Sequence, residues 1–252
     1  MSEASTVDRS VAERFVYGGL LAVLLWLPLP WGSHRVWATD LFVLCATFLL
    51  LAQLTLLASG RAGLPTGFGR LLLAPALWWL VWLGWIGWQI LPLDLPTLST
   101  LSPAAAQLAT ESASVLGVDP IARISIAPAA TMDAWLLSAG YAALYLLTML
   151  SCAGDERRIA HVLGVLVISS SIQAAYAGLM LLSGLEWGFL AKKETYLGVA
   201  TGTFVNRNHL AGYLALGAAA ALGLILSEIG SGNRAGGARN QVLGIIALLF
   251  SA

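Results

Sequence analysis

Residues 36–58 read VWATDLFVLCATFLLLAQLTLLA, and this stretch decides the class of the fold. It holds a single charged residue, Asp40, close to its start. A helix rises about 1.5 Å per residue, so a stretch of this length spans the roughly 30 Å hydrocarbon core of a bilayer. The stretch therefore predicts a membrane-spanning α-helix.

Comparable apolar stretches recur along the chain. They run over 15–32, 71–93, 134–152, 159–182 and 210–227. The whole chain is 58% hydrophobic and only 10% charged, whereas soluble domains are about a quarter charged. We predict an all-α, polytopic transmembrane helix bundle with six complete spans, forming one transmembrane domain over 1–252. This composition predicts a lipid bilayer as partner, and the formal net charge of zero gives no indication of nucleic-acid binding, so no nucleic acid is predicted as partner.

A seventh apolar stretch, 242–252, ends with the sequence. At about 1.5 Å per residue it reaches only about half-way across the hydrocarbon core. A helix that ended there would leave its last carbonyl groups unsatisfied in lipid. We therefore expect a truncated seventh span, and we expect residues 1–252 to be the N-terminal part of a longer protein.

The distribution of basic residues predicts the orientation in the membrane. Lysine and arginine in short loops favour the cytoplasmic side. One side of the predicted bundle carries Arg9, Arg14, Arg61, Arg70, Arg157, Arg158, Arg234 and Arg239, and the other carries Arg35, Arg123, Lys192, Lys193 and Arg207. The N-terminus is then cytoplasmic, and loops 94–132 and 184–208 face outward. In a bacterium this places a multi-pass protein in the inner membrane, with both loops in the periplasm.

The first outward loop carries the signals of a short helix of its own. Ser102 and Pro103 form a good N-cap and first-turn pair, and Gly117 suits the left-handed residue that follows a helix. We predict a helix between them that lies at the membrane interface.

Polar residues concentrate in residues 201–214, which read TGTFVNRNHLAGYL ahead of the last complete span. Arg207 presents a planar, permanent cation that suits phosphate or carboxylate, next to a helix N-terminus that favours anions. An interfacial arginine that marks the end of a helix is the alternative. Asn206 and Asn208 are either ligands or cap and turn residues. The N–H groups of residues 201–203 are a weaker candidate for facing an anion.

Three further residues complete the candidate substrate-binding set. His209 can titrate near neutral pH or donate to a phosphate, or it can pack locally at the membrane surface. Lys192 and Lys193 attract anionic headgroups or a diphosphate, or they are a solvated pair. No residue is a convincing catalytic base, so the catalytic residues stay unassigned. No metal-ligand pattern is present, and neither a metal nor a cofactor is predicted.

The string TGTFVNRNHLAGYL resembles a stretch of the O-antigen ligase and polymerase family of bacterial envelope proteins, with Leu210 at a position where that family often has Phe. The segments around Leu101-Ser102-Pro103, Ser125–Pro128 and Thr131 are similar to the N-terminal half of that family.

The resemblance implies a GT-C-like polytopic glycosyltransferase. Such a protein moves a glycan from an undecaprenyl-diphosphate carrier to an acceptor at the periplasmic face, in exopolysaccharide or O-antigen biosynthesis. The acceptor is a further glycan for a polymerase or a lipid A core sugar for a ligase. In this scheme Arg207 binds the diphosphate, Asn206 and Asn208 orient it or the first sugar, and His209 supports them. The resemblance also implies later segments that 1–252 lacks, so this fragment alone should be inactive.

Two other classes of function fit the composition. One is a transporter or flippase for an anionic lipid-linked glycan, which predicts charged residues along a path within the membrane. The other is a non-catalytic subunit of a membrane assembly, in which the region of Arg207 is free to vary.

Overall fold

The computed structural model describes residues 3–64, 68–188 and 191–231. Within these residues the fold is all helical, as predicted, and an isolated bridge between Trp187 and Lys192 is the only β-type pairing. The helices are α1 (Glu3–Trp26), α2 (Val36–Ala58), α3 (Phe68–Ile90), α4 (Leu95–Leu101), α5 (Pro103–Leu116), α6 (Pro128–Cys152), α7 (Glu156–Ser183) and α8 (Arg207–Ser231), and a 3₁₀ turn covers Trp31–Ser33.

Five helical segments are long and apolar enough to cross a membrane, which supports a multi-pass membrane protein. They are Val36–Ala58, Leu73–Ile90, Pro128–Cys152, Glu156–Ser183 and Arg207–Ile229. Each corresponds to one of the six predicted spans. The predicted first span is not among the five, and the predicted seventh, 242–252, lies outside the described residues.

The predicted first span, 15–32, is helical only as far as Trp26. Pro28 and Pro30 follow directly, and proline neither donates a backbone hydrogen bond nor tolerates a helical residue before it. The chain then turns tightly through Trp31–Ser33, and α2 begins at Val36. At its other end α1 extends back to Glu3, through a charged segment that keeps it below the composition of a membrane span.

The chain forms two compact units, Met1–Gly67 with Leu147–Ala252 and, separately, Phe68–Leu146. The first unit is built on α7 and α8, with α1 packed against α2 and α7. Gly217 of α8 lies directly against the Ser170 side chain of α7, leaving no room for a β-carbon at position 217. Such small residues let two membrane helices approach closely. The single transmembrane domain stays a prediction.

The second unit contains the predicted interfacial helix and one helix that was not predicted. α5 begins at Pro103 after Ser102 and ends at Gly117, whose φ of 66° is left-handed as expected. α4 precedes it, and its N-cap Asp94 accepts a 3.0 Å hydrogen bond from the Thr97 N–H. A hydrogen bond from the Thr97 hydroxyl, together with this one, holds the pKa of Asp94 below its ordinary value.

Candidate functional site

The candidate site lies in the first unit, where the segment 184–206 packs against the turn between α1 and α2. Phe204 lies on Gly32, and Gly188 lies beside the indole nitrogen of Trp31. Both glycines are required by these close approaches, since a β-carbon at either position would overlap the aromatic ring. These two loops therefore form one structure instead of two independent turns.

Thr203 anchors this structure. Its hydroxyl lies 2.5 Å from the Pro28 carbonyl oxygen and 3.1 Å from Gln173 Oε1, and its N–H donates to the same Gln173 oxygen at 3.1 Å. Gln173 belongs to α7 and is 1% exposed. The threonine thus joins the end of α1, α7 and the start of α8. Its N–H faces inward, so the predicted anion contact of residues 201–203 is wrong at Thr203.

The start of α8 presents the predicted polar string. Asn206 caps the helix, since its Oδ1 accepts a 2.8 Å hydrogen bond from the Asn208 N–H. Arg207, Asn208 and His209 are all exposed. Successive helical residues are about 100° apart, so these three side chains diverge and do not form one cluster. Arg207 has no ion-pair partner among the described residues.

Lys193 is buried and paired within the protein, so its charge serves the structure of the loop and is not exposed to a ligand. Its side chain is 6% exposed, and its Nζ lies 3.1 Å from Glu186 Oε2 and donates to the Val199 carbonyl oxygen at 2.8 Å. Glu186 also accepts a hydrogen bond from the Gly198 N–H. This bond, together with Lys193, holds the pKa of the Glu186 carboxyl below its ordinary value. The charge of Lys193 is therefore already neutralised, and the pair fixes the path of the loop.

Lys192 and Lys193 both line a cavity of about 300 Å³, together with Trp31, His34 and Arg35. The Arg35 guanidinium lies 5.2 Å from the centre of the Trp31 ring, a cation–π contact that orients it. Glu194 also lines the cavity. Its wall thus combines exposed cations with an aromatic face, which suits a ligand that carries both negative charge and an apolar or sugar surface.

The backbone beside this cavity is strained. Trp31, Gly32 and Ser33 have φ of 52°, 63° and 57°, so three consecutive residues are left-handed. For a residue other than glycine this conformation costs of order 1 kcal/mol or more, and such residues concentrate at functional sites. The Ser33 hydroxyl donates to Leu27 O at 2.6 Å, and the Thr39 hydroxyl donates to Ser33 O at 3.0 Å. These bonds hold the turn that carries Trp31 and Arg35.

The structure thus separates the six predicted site residues. Lys192 and Lys193 line the cavity. Arg207 comes two residues after Val205, another lining residue, so the Cα atoms of Arg207 and Val205 are at most about 7 Å apart. Sequence reasoning missed Arg35 and Trp31. Their spacing of four residues in an outward loop was visible, but the turn that stacks them was not.

The described residues contain no group of three or more His, Cys, Asp or Glu side chains that could hold a metal ion. Comparisons of the chain with protein-family models, curated proteins and solved structures find no match.

Proposed function

We propose that this chain belongs to an integral membrane glycosyltransferase of the O-antigen ligase and polymerase type. It would move a glycan from an undecaprenyl-diphosphate carrier to a glycan or lipid A core acceptor at the periplasmic face of the inner membrane. The observation that carries the proposal is the exposed Arg207 at the N-terminus of α8, two residues after Val205, which lines a cavity together with Lys192 and Arg35. The resemblance of residues 201–214 to that family supports it.

The chemistry of such a transfer explains why cations are needed. Departure of the lipid diphosphate builds negative charge on the leaving group, and donors placed at that charge lower the barrier, by about 3 kcal/mol for a well-placed donor. Arg207 offers two parallel N–H groups to a phosphate, and the dipole of α8 favours negative charge at its N-terminus. Asn208 and His209 are exposed on adjoining faces of the helix, where they would contact parts of the donor other than the phosphate that Arg207 holds. Asn206 acts through its cap, which fixes the start of the helix.

The cavity fits the sugar end of such a donor. Trp31 provides an aromatic ring with Arg35 over one face, and Arg35 and Lys192 provide positive charge in the cavity wall. The attacking hydroxyl still needs a base, and we assign no residue to that role.

The proposal includes a cytoplasmic N-terminus and α1 as a sixth span. With that orientation the loop 184–206 and the start of α8 face the periplasm. A transporter is less well supported, because the charged residues of the five apolar segments lie near helix ends, as Asp40, Asp133 and Glu228 illustrate.

Replacement of Arg207 in the intact gene product tests the proposal. In cells that lack the native gene, Arg207→Ala should abolish or strongly reduce polysaccharide at normal levels of membrane-inserted protein. Arg207→Lys should restore only part, because a point charge does not reproduce bidentate geometry. The control Arg157→Ala removes an exposed cation at the N-terminal end of α7, the end opposite to the loop 184–206, and should retain full activity. Wild-type polysaccharide from Arg207→Ala would favour a non-catalytic assembly subunit.

A further inference from the structure

The second unit contains a larger cavity, of about 530 Å³, between α5 and the segment 118–128. This volume is in the range of pockets that hold small ligands. Most of its wall is apolar, with Ala105, Leu108, Leu116, Val118, Ile121 and Ile126 among the lining residues. The cavity belongs to this unit alone and has no part in the site proposed above.

A single arginine, Arg123, is placed in this apolar wall by an alternating pattern. Ala122 and Ile124 pack into the small core formed around Leu98. Ile121 and Arg123, one position out of step, line the cavity, as expected where an extended segment sends alternate side chains to opposite sides.

The backbone around Arg123 is fixed on both sides. Ala122 O accepts a 2.9 Å hydrogen bond from the Leu93 N–H, and the Ser125 N–H donates to Gln89 O at 3.0 Å. The arginine is therefore held in the cavity wall by its neighbours and is not a side chain of a loose loop.

The half-buried guanidinium of Arg123 has an unsatisfied donor. Its Nε is buried without a hydrogen-bond partner, and none of the ion pairs within the described residues includes it. Asp119 lines the same cavity without pairing with it. Buried polar atoms in proteins are hydrogen-bonded. An unsatisfied Nε on a guanidinium outside any ion pair, in a largely apolar cavity, therefore favours an anion with an apolar part.

We propose that this cavity binds an anionic membrane phospholipid, with its phosphate on Arg123 and an acyl chain along the apolar wall. Arginine and phosphate match in geometry as well as charge. The apolar residues at the rim are strongly exposed, 72% for Leu116 and 75% for Ile126. In a membrane protein an exposed apolar rim of this kind contacts lipid, which favours a lipid over a soluble anion.

Native mass spectrometry of the purified, full-length gene product in detergent tests this with a matched series of ligands. Dioleoyl phosphatidylglycerol should bind at one site. Dioleoylglycerol lacks the phosphate, glycerol 3-phosphate lacks the chains, and oleate replaces the phosphate by a carboxylate. Each of these should bind at least ten-fold more weakly. Equal binding of dioleoylglycerol, or tighter binding of oleate, would overturn the assignment.

Variants of the cavity complete the test. Arg123→Ala should weaken phosphatidylglycerol binding at least ten-fold, and Arg123→Lys should weaken it less. Arg61→Ala, which removes an exposed arginine elsewhere, should leave it unchanged. Asp119→Asn should leave it unchanged or tighten it. If Arg123→Ala does not fold, the test rests on Arg123→Lys and on the ligand series with the wild-type protein. Wild-type affinity for phosphatidylglycerol in a folded Arg123 variant would contradict the proposal.

Discussion

Thr203→Val removes the hydroxyl that ties three elements together, with almost no change in volume. The Pro28 carbonyl oxygen loses its 2.5 Å partner, while Gln173 Oε1 keeps only the Thr203 N–H. Thr203 is 8% exposed, so water does not readily replace the hydroxyl. The Pro28 carbonyl oxygen keeps a 3.2 Å hydrogen bond from the Gly32 N–H, so the cost is that of one lost hydrogen bond, about 0.5–1.5 kcal/mol. Local opening of the segment 196–206 should therefore become about two- to 13-fold more frequent.

Hydrogen exchange of the detergent-solubilised protein measures this opening directly, because amides exchange when a segment opens locally. Peptides that cover 196–206 should lose protection by that factor, while peptides from α2 should not change. Thr195→Val, at an exposed position of the same loop, is the matched control and should have no effect. Unchanged exchange in Thr203→Val would refute the view that Thr203 anchors the loop.

Two further predictions concern the same loop. A single cysteine at position 195, in a cysteine-free background, should react with a membrane-impermeant reagent in intact cells; reaction only after lysis would reverse the orientation. The depressed pKa of Glu186 stabilises the loop above the ordinary carboxyl value of 4.5, and this stabilisation is lost as the pH falls through the depressed value. Proteolysis of the loop should therefore accelerate at low pH, whereas Glu186→Gln should be cleaved readily at every pH; identical profiles would exclude this role of the carboxylate.

The membrane helices were largely predictable because one physical requirement, satisfying the backbone in lipid, sets their length and composition. The predicted span 36–58 and the observed helix have the same bounds. The first span was predicted too long because hydropathy alone does not register Pro28 and Pro30, which end α1 at Trp26. The helix α4 was missed because it is short, although Asp94 before Leu95-Pro96 is a cap signal.

The candidate site was predicted only in part, because its contacts join residues far apart in the chain. The exposed position of Arg207 and the cap at Asn206 follow from local sequence. The inward role of Thr203 depends on Gln173, thirty residues earlier. Lys192 and Lys193 look equivalent in the sequence, yet only Lys193 forms an ion pair with Glu186, because adjacent side chains of an extended segment point to opposite sides.

Transfer of a glycan in a defined membrane tests the central claim most directly. The purified, full-length gene product would be reconstituted in liposomes with a labelled glycan on undecaprenyl diphosphate and an unlabelled acceptor. We predict that the label moves to the acceptor, that undecaprenyl diphosphate is released, and that Arg207→Ala abolishes both. If the labelled glycan crosses the bilayer still joined to its carrier, or if Arg207→Ala transfers the glycan at the wild-type rate, the proposed glycosyltransferase function of Arg207 is contradicted.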